Sequence, residues 1–102
     1  MRRRASGCTI SIEIEFDPAK DRVARKRHGL SLRSAAAFDW KTALEREDDR
    51  FDDGEVRVVA LGFIGDRLHV LLFAEGSHDH AVCAVSLRRA EKHEVRFDRD
   101  HR

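Results

Sequence analysis

The chain has 102 residues, of which 41% are hydrophobic and 38% charged, with a formal net charge of +1. This length provides one modest hydrophobic core, which excludes a multidomain protein. The charge is uneven: residues 1–28 hold eight Lys or Arg against four acids, whereas residues 45–55 hold seven acids against two Arg. The near-neutral total therefore conceals a basic and an acidic surface.

The first part of the chain contains clear local signals. Residues 1–9 are predicted to be a disordered basic tail, followed by a single domain over residues 10–98 and a C-terminal tail over residues 99–102. Alternating Ile and polar residues over residues 10–16 predict a strand. Asp17-Pro18 then supplies a helix start and Gly29 a stop, and a second, short helix is predicted from Ser31 to Asp39 or Trp40.

The second part is predicted to be mostly sheet. Residues 45–54 are acidic and turn-rich and are predicted to form a loop. Three apolar runs over residues 56–63, 68–74 and 81–87, separated by Gly-containing turns, predict an antiparallel meander. A C-terminal helix is predicted to start near Arg88. The predicted fold is α+β in the order β-α-α-β-β-β-α, with an antiparallel sheet packed against helices.

Several functional classes lack support in the sequence. The two cysteines, Cys8 and Cys83, have no neighbours in metal-ligand spacing, so neither a zinc site nor a disulfide framework is predicted. His78-Asp79-His80 lies in a turn without further ligands. We expect no metal, no cofactor, no secretion signal and no membrane span, and a cytoplasmic location.

The residues between Lys20 and His28 include five Lys or Arg. Such a helix is either a solvated surface or a surface that attracts phosphates. Arg57 falls on an otherwise apolar strand face, where a charged group needs a partner or a function. One interpretation is an ion pair with Glu55 or with the acidic loop. The other is a functional cation. Glu94 falls with apolar residues near Arg88, which favours an ion pair over a proton acceptor.

Five short segments occur in one order along the chain: "FDPAK" at 16–20, "HGLS" at 28–31, "FD" at 38–39, "GEVRVVALG" at 54–62 and "SLRRA" followed by Glu94. In this order they resemble the BrnT family, the ribonuclease toxins of bacterial type II toxin–antitoxin pairs. The resemblance implies a RelE-like fold, metal-independent RNA cleavage, and neutralisation by a ribbon-helix-helix antitoxin, BrnA. DNA would be contacted only through that antitoxin.

The resemblance also suggests roles for individual residues. We hypothesise that Arg57 and Arg88 clamp the scissile phosphate, with Glu55 or Glu94 as the base and His28 as the acid, or with these proton-transfer roles reversed. The predicted RNA-binding residues are Lys20, Arg25, Lys26, Arg27, Ser86 and Arg89. Phe97 stands where the family usually has Tyr. This difference motivates one alternative, a degenerate family member that only binds the antitoxin. A second alternative is a toxin acting on another target such as gyrase.

Overall fold

The computed structural model of the chain describes residues 2–3, 12–48 and 56–101. The elements are β1 Arg2–Arg3, β2 Glu13–Glu15, α1 Pro18–His28, a 3-10 helix Leu32–Ala37, β3 Leu44–Asp48, β4 Arg57–Ile64, β5 Arg67–Glu75, β6 Ala81–Arg89 and α2 Lys92–Asp100. The prediction of a mixed α+β fold is confirmed. Most of the predicted tail and the start of the first predicted strand lie outside the described residues. None of the helices in the described ranges is long and apolar enough to cross a membrane.

One sheet organises the molecule, with the strands in the spatial order β1-β3-β4-β5-β6-β2. Neighbouring strands are antiparallel except β2, which runs parallel to β6 and pairs with its first three residues, 81–83. β4, β5 and β6 form the predicted meander. Gly65, with a φ of 64°, closes the first hairpin, in a backbone conformation that favours a residue without a Cβ atom.

The sheet is apolar on both faces. On one face, which we call the helical face, strand residues such as Ala60, Leu71 and Leu87 pack with Ala24 of α1 and Leu32 of the 3-10 helix. The opposite face, which we call the second face, carries a smaller buried cluster of Leu44, Leu61, Leu68 and Val70. The core therefore lies mainly between the sheet and the segment that contains α1 and the 3-10 helix.

α1 begins and ends at the predicted residues. The Asp17 carboxylate accepts a hydrogen bond from the Ala19 N–H at 2.8 Å, and the proline occupies the start of the helix. Gly29 ends the helix with a φ of 69°. Ala24 is buried, but Val23 is 49% exposed. One side of α1 is consequently not covered by the core.

The loop predicted for residues 45–54 is wrong in its first part, because Leu44–Asp48 is the strand β3. Each of its residues pairs with β4. The charged residues Glu45, Arg46 and Glu47 do not alternate with apolar residues, so the sequence pattern does not indicate a strand. The strand is stabilised by its pairing with β4. Residues 49–55 lie outside the described part of the chain.

Two helices also differ from the sequence-based expectation. The second predicted helix is a 3-10 helix, in which the Ser31 hydroxyl accepts a hydrogen bond from the Arg33 N–H at 3.2 Å. The C-terminal helix begins at Lys92, because β6 continues to Arg89. At its start the Glu94 carboxylate accepts the Glu91 N–H at 2.8 Å, as in a capping box, which fixes the first turn.

Candidate functional site

A groove of about 340 Å³ separates α1 from β6. Its lining includes four of the residues predicted from the sequence to meet RNA or to transfer protons: Lys20, Arg27, His28 and Ser86. Lys20 and Arg27 lie seven residues apart, about 10.5 Å along the helix axis. The lining also includes the apolar residue Val23. The structure therefore brings four predicted site residues together around a partly apolar groove.

α1 is held beside the 3-10 helix by Asp21, which is buried. One Asp21 oxygen accepts hydrogen bonds from the Leu32 N–H at 2.7 Å and from the Ser31 hydroxyl at 2.8 Å, and the other lies 3.2 Å from Arg25 Nε. Burial raises the pKa of Asp21, but these hydrogen bonds and the nearby arginine outweigh burial and lower the pKa overall. Sequence reasoning missed this residue, and its only signal was a single acid within a basic helix.

The β6 side of the groove is shaped by a β-bulge. The register between β5 and β6 shifts between Leu72 and Phe73, which lie opposite Ser86 and Ala84, so Val85 has no direct partner. A bulge bends the strand and re-aims its side chains. Among the described residues, β2 pairs with β6 over residues 81–83, and α1 also contacts β6. Val85 and Ser86 consequently border α1.

Arg88 and Glu94 form an ion pair at the end of β6. Arg88 Nη1 and Nη2 donate to Glu94 Oε1 and Oε2, both at 2.8 Å, which confirms the predicted ion pair. The hydrogen bonds to Glu94 raise the pKa of Arg88. Burial raises the pKa of Glu94, but the hydrogen bonds from Arg88 and from the Glu91 N–H outweigh burial and lower the pKa overall. Glu94 is therefore ionised at neutral pH and orients the guanidinium.

Arg57 lies at the start of β4 and is half-buried. It shares the second face with Leu61, as predicted, and lies directly opposite the buried Asp48 of β3, where opposite charges are favourable. Arg88 on β6 lies in register with Leu61 on β4, two strands away. Leu61 is four residues beyond Arg57 on the same strand. The Cα atoms of the two arginines are therefore roughly 16 Å apart. Glu55, one of the two carboxylates predicted as the base, lies outside the described residues.

The remaining predicted residues lie outside the groove lining. Arg25 is paired with Asp21, while Lys26 and Arg89 are exposed. Phe97, where a tyrosine was expected, stacks on His101 with ring centroids 3.9 Å apart and is 36% exposed. The Phe97 ring therefore lies at the surface of α2.

One group of the described residues has the ligand types for a metal ion: Glu13, Glu15 and His78, whose ligand atoms lie within 4.8 Å of one another. His78 Nε2 lies 2.6 Å from Glu13 Oε2, and the Ser77 hydroxyl and N–H donate to the Glu15 carboxylate. The hydrogen bonds from Ser77 lower the pKa of Glu15. The group joins β2 to the turn before β6, at the opposite end of β6 from Arg88.

Comparison with known proteins adds one match. The family model described as "Ribonuclease toxin, BrnT, of type II toxin-antitoxin system" matches residues 16–94, more than half of the chain. The matched range contains α1, β6 and the Arg88–Glu94 pair, and it ends before Phe97. No curated protein matches the chain.

Proposed function

Because the chain belongs to the BrnT family of ribonuclease toxins of type II toxin–antitoxin systems, we propose that it is a metal-independent endoribonuclease of RelE-like fold that arrests growth. The observation that carries the proposal is the convergence of Lys20, Arg27, His28 and Ser86 on one groove. Arg88 follows two residues after Ser86 on the same strand. Binding would therefore involve α1, and chemistry would occur near the end of β6 that carries Arg88.

Charge is the main reason that α1 is suited to RNA. Neutralisation of phosphates by Lys and Arg dominates nucleic-acid affinity. Lys20 and Arg27 supply cations at the groove, and Lys26 is exposed on the same helix. The groove volume of about 340 Å³ is too small for an RNA duplex, which favours a single strand.

Metal-free cleavage requires three chemical roles. The 2′-oxygen attacks the adjacent phosphorus, the bond to the 5′-oxygen of the next nucleotide breaks, and a 2′,3′-cyclic phosphate forms. One group accepts the 2′-hydroxyl proton, another protonates the leaving 5′-oxygen, and cations stabilise the charge that builds up on phosphate. His28 is proposed for one proton transfer, since it lines the groove and an imidazole ring can both accept and donate a hydrogen bond.

Arg88 is proposed as the cation at the scissile phosphate. Its guanidinium carries more N–H donors than Glu94 and the Arg89 carbonyl occupy, so the free donors are available to a phosphate. A group that is already oriented needs no rearrangement during the reaction. The lowered pKa of Glu94 makes it a weak proton acceptor. We therefore assign Glu94 to the orientation of Arg88 and leave Glu55 as the candidate carboxylate base.

Arg57 is proposed as a separate RNA contact. It lies on the same face of the sheet as Arg88 but two strands and four residues away. A single phosphate clamped by both arginines would require both side chains to extend toward each other. The separation supports contact with a neighbouring phosphate instead.

The proposed protein partner is a ribbon-helix-helix antitoxin of the BrnA type. Type II antitoxins are proteins, and the family match therefore supports a protein partner. We propose that the antitoxin neutralises RNA cleavage, and that the complex contacts operator DNA through the antitoxin alone. The toxin itself would then have no direct DNA-binding role.

Induction of the chain alone in bacteria tests the proposal. The parent is expected to stop growth and to produce RNA fragments that end in cyclic phosphate, whereas Arg88→Ala leaves RNA intact. Arg96→Ala, an exposed arginine on α2, is the matched control and retains cleavage. The purified protein should cleave equally well in EDTA. Intact RNA with folded parent protein, or cleavage that is lost in EDTA, contradicts the proposal.

A second candidate is an inactive family member that only binds the antitoxin. The observation in its favour is the engagement of Arg88 by Glu94, which competes with a phosphate for the guanidinium. This candidate predicts a stable complex with the antitoxin and normal growth on induction. Growth arrest with intact RNA and damaged DNA would instead indicate a toxin with another target.

A further inference from the structure

We infer that the groove between α1 and β6 is a nucleoside-binding subsite, which receives one unpaired base beside the scissile phosphate and sets the sequence preference of cleavage. The inference rests on the proposed ribonuclease function, and it assigns to the groove a role separate from the chemical step.

The size of the groove suits one nucleoside. Its volume of about 340 Å³ lies at the lower end of the range for small-molecule pockets, roughly 300–1,000 Å³. A folded RNA helix would not enter such a space, whereas a base turned out of a single strand would. The groove therefore selects an unpaired nucleotide.

The arrangement of charged and apolar residues also suits one nucleoside. Lys20 and Arg27 lie two helical turns apart on α1, and Val23 and Val85 line the groove with them. The cations can meet the phosphates on both sides of a nucleotide, while the aliphatic side chains contact the face of its base. An acidic peptide would also bind the two cations, but it would not require the apolar surface between them.

Polar groups are available to distinguish one base from another. The Ser86 hydroxyl can donate and accept a hydrogen bond, and it lines the groove together with His28. Among the described residues, β2 pairs with β6 over residues 81–83 and not at Ser86. A site that hydrogen-bonds one base discriminates against bases that leave its polar groups unpaired.

The two sets of residues should have different effects on cleavage. Single-turnover cleavage of an RNA library that contains every pair of bases around the cut would be measured for each variant. Lys20→Ala and Arg27→Ala are expected to slow cleavage of all sequences by a similar factor, because they contact phosphates. Val23→Met, which narrows the groove, and Ser86→Ala are expected to change the ratio of rates between sequences by roughly tenfold.

Arg22→Ala provides the matched control, since Arg22 is exposed on α1 and does not line the groove. It should retain both the rate and the sequence pattern. If Val23→Met and Ser86→Ala keep the parent pattern while they remain folded, the inference is wrong even though the ribonuclease proposal stands. A folded parent that cleaves no sequence contradicts the proposed function instead.

A binding measurement separates the groove from catalysis. Titration of the ¹⁵N-labelled parent with each of the four nucleoside 5′-monophosphates should shift the amide signals of Val85 and Ser86, with different affinities for different bases. Inorganic phosphate is the control. Equal shifts with phosphate alone, or groove signals that respond only to the antitoxin, would overturn the inference.

Discussion

Arg88 is oriented by two hydrogen bonds to Glu94, and this pair is the most specific arrangement of charged atoms in the candidate site. Each residue of the pair affects the other: Glu94 orients the guanidinium of Arg88, and Arg88 lowers the pKa of the Glu94 carboxyl group. Glu94 also accepts the Glu91 N–H, so the first turn of α2 depends on the same group. The orientation of Arg88 is thus linked to the start of a helix.

We expect Arg88→Ala to lower the single-turnover cleavage rate about 10²–10³-fold, the usual effect of removing one donor to a charged transition state. Arg88→Lys should not restore the rate, because an ammonium cannot bond both Glu94 and a phosphate with the same planar geometry. Circular dichroism would confirm that the variants fold. A rate within twofold of the parent for Arg88→Ala would remove this residue from the site.

The ion pair should also affect stability in acid. The native pKa values of Asp21 and Glu94 lie below their ordinary values of 3.8 and 4.5. As the pH falls, the unfolded chain binds protons first, so stabilisation that is complete above the ordinary values is lost as the pH passes through the native ones. We expect Glu94→Gln to be less stable than the parent at pH 7 and the difference to shrink below about pH 4. Urea midpoints across this range would measure the effect, and a constant difference would mean that the charge has no role.

Gly62 lies against the ring of Phe38, and this close packing leads to a separate prediction. A Cβ atom at Gly62 would lie 2.4 Å from the Phe38 ring, which is 4% exposed. The ring cannot move without disturbing the core, so we expect Gly62→Ala to lower the free energy of unfolding by about 1–3 kcal/mol. The double variant with Phe38→Leu should recover part of this loss in a urea titration. A double variant that simply adds both losses would show that the ring is not the cause.

Among the secondary-structure elements, α1 depends on contacts at both of its ends and at one buried acid. Asp17 and Gly29 are local signals, and for this reason the bounds of α1 could be predicted from the sequence. Asp21 acts across the following turn on Ser31 and Leu32, and no local pattern indicates such a contact. The same limit explains β3, whose polar residues are held by pairing with β4.

Asp21→Asn is expected to loosen α1 from the 3-10 helix and to weaken RNA binding, because the groove depends on the position of the helix. The melting temperature should fall by several degrees, and RNA affinity should fall with little change in the rate at saturating RNA. Asp66→Asn, an exposed carboxylate in the first hairpin turn, is the control. Unchanged affinity with a lowered melting temperature would show that Asp21 only stabilises the fold.

The candidate site could be predicted only in part for a related reason. Lys20, Arg27, His28 and Ser86 were identified from their types and from the family resemblance. Their convergence on one groove depends on the packing of α1 against β6 and on a bulge at Val85, both of which arise from contacts between distant parts of the chain. The separation of Arg57 from Arg88 follows from the strand register, which local sequence patterns do not predict.

Over the whole molecule, positive charge is concentrated on one element. α1 carries five Lys or Arg against one acid, and it contacts β6. An RNA strand that approaches the molecule would therefore be attracted to α1. The total charge of +1 therefore understates the electrostatic preference of the surface.

We expect RNA binding to weaken as salt concentration rises, and the double variant Lys20→Ala with Arg27→Ala to reduce the slope of log K against log [salt] by about 0.7 for each lost phosphate contact. Binding titrations with a short single-stranded RNA at several salt concentrations would measure the slope. Arg67→Ala, an exposed arginine at the start of β5, serves as the control. Identical slopes for the double variant and the parent would place the RNA elsewhere on the surface.

Because the groove is lined by both α1 and β6, it can form only after both elements have been synthesised. α1 leaves the ribosome early, but the strand that forms the other wall of the groove follows after β3, β4 and β5. Contacts between such distant segments form late, because the intervening chain must first be ordered. A nascent chain that ends before β6 therefore lacks the groove and Arg88, the two features on which the proposed RNA cleavage depends.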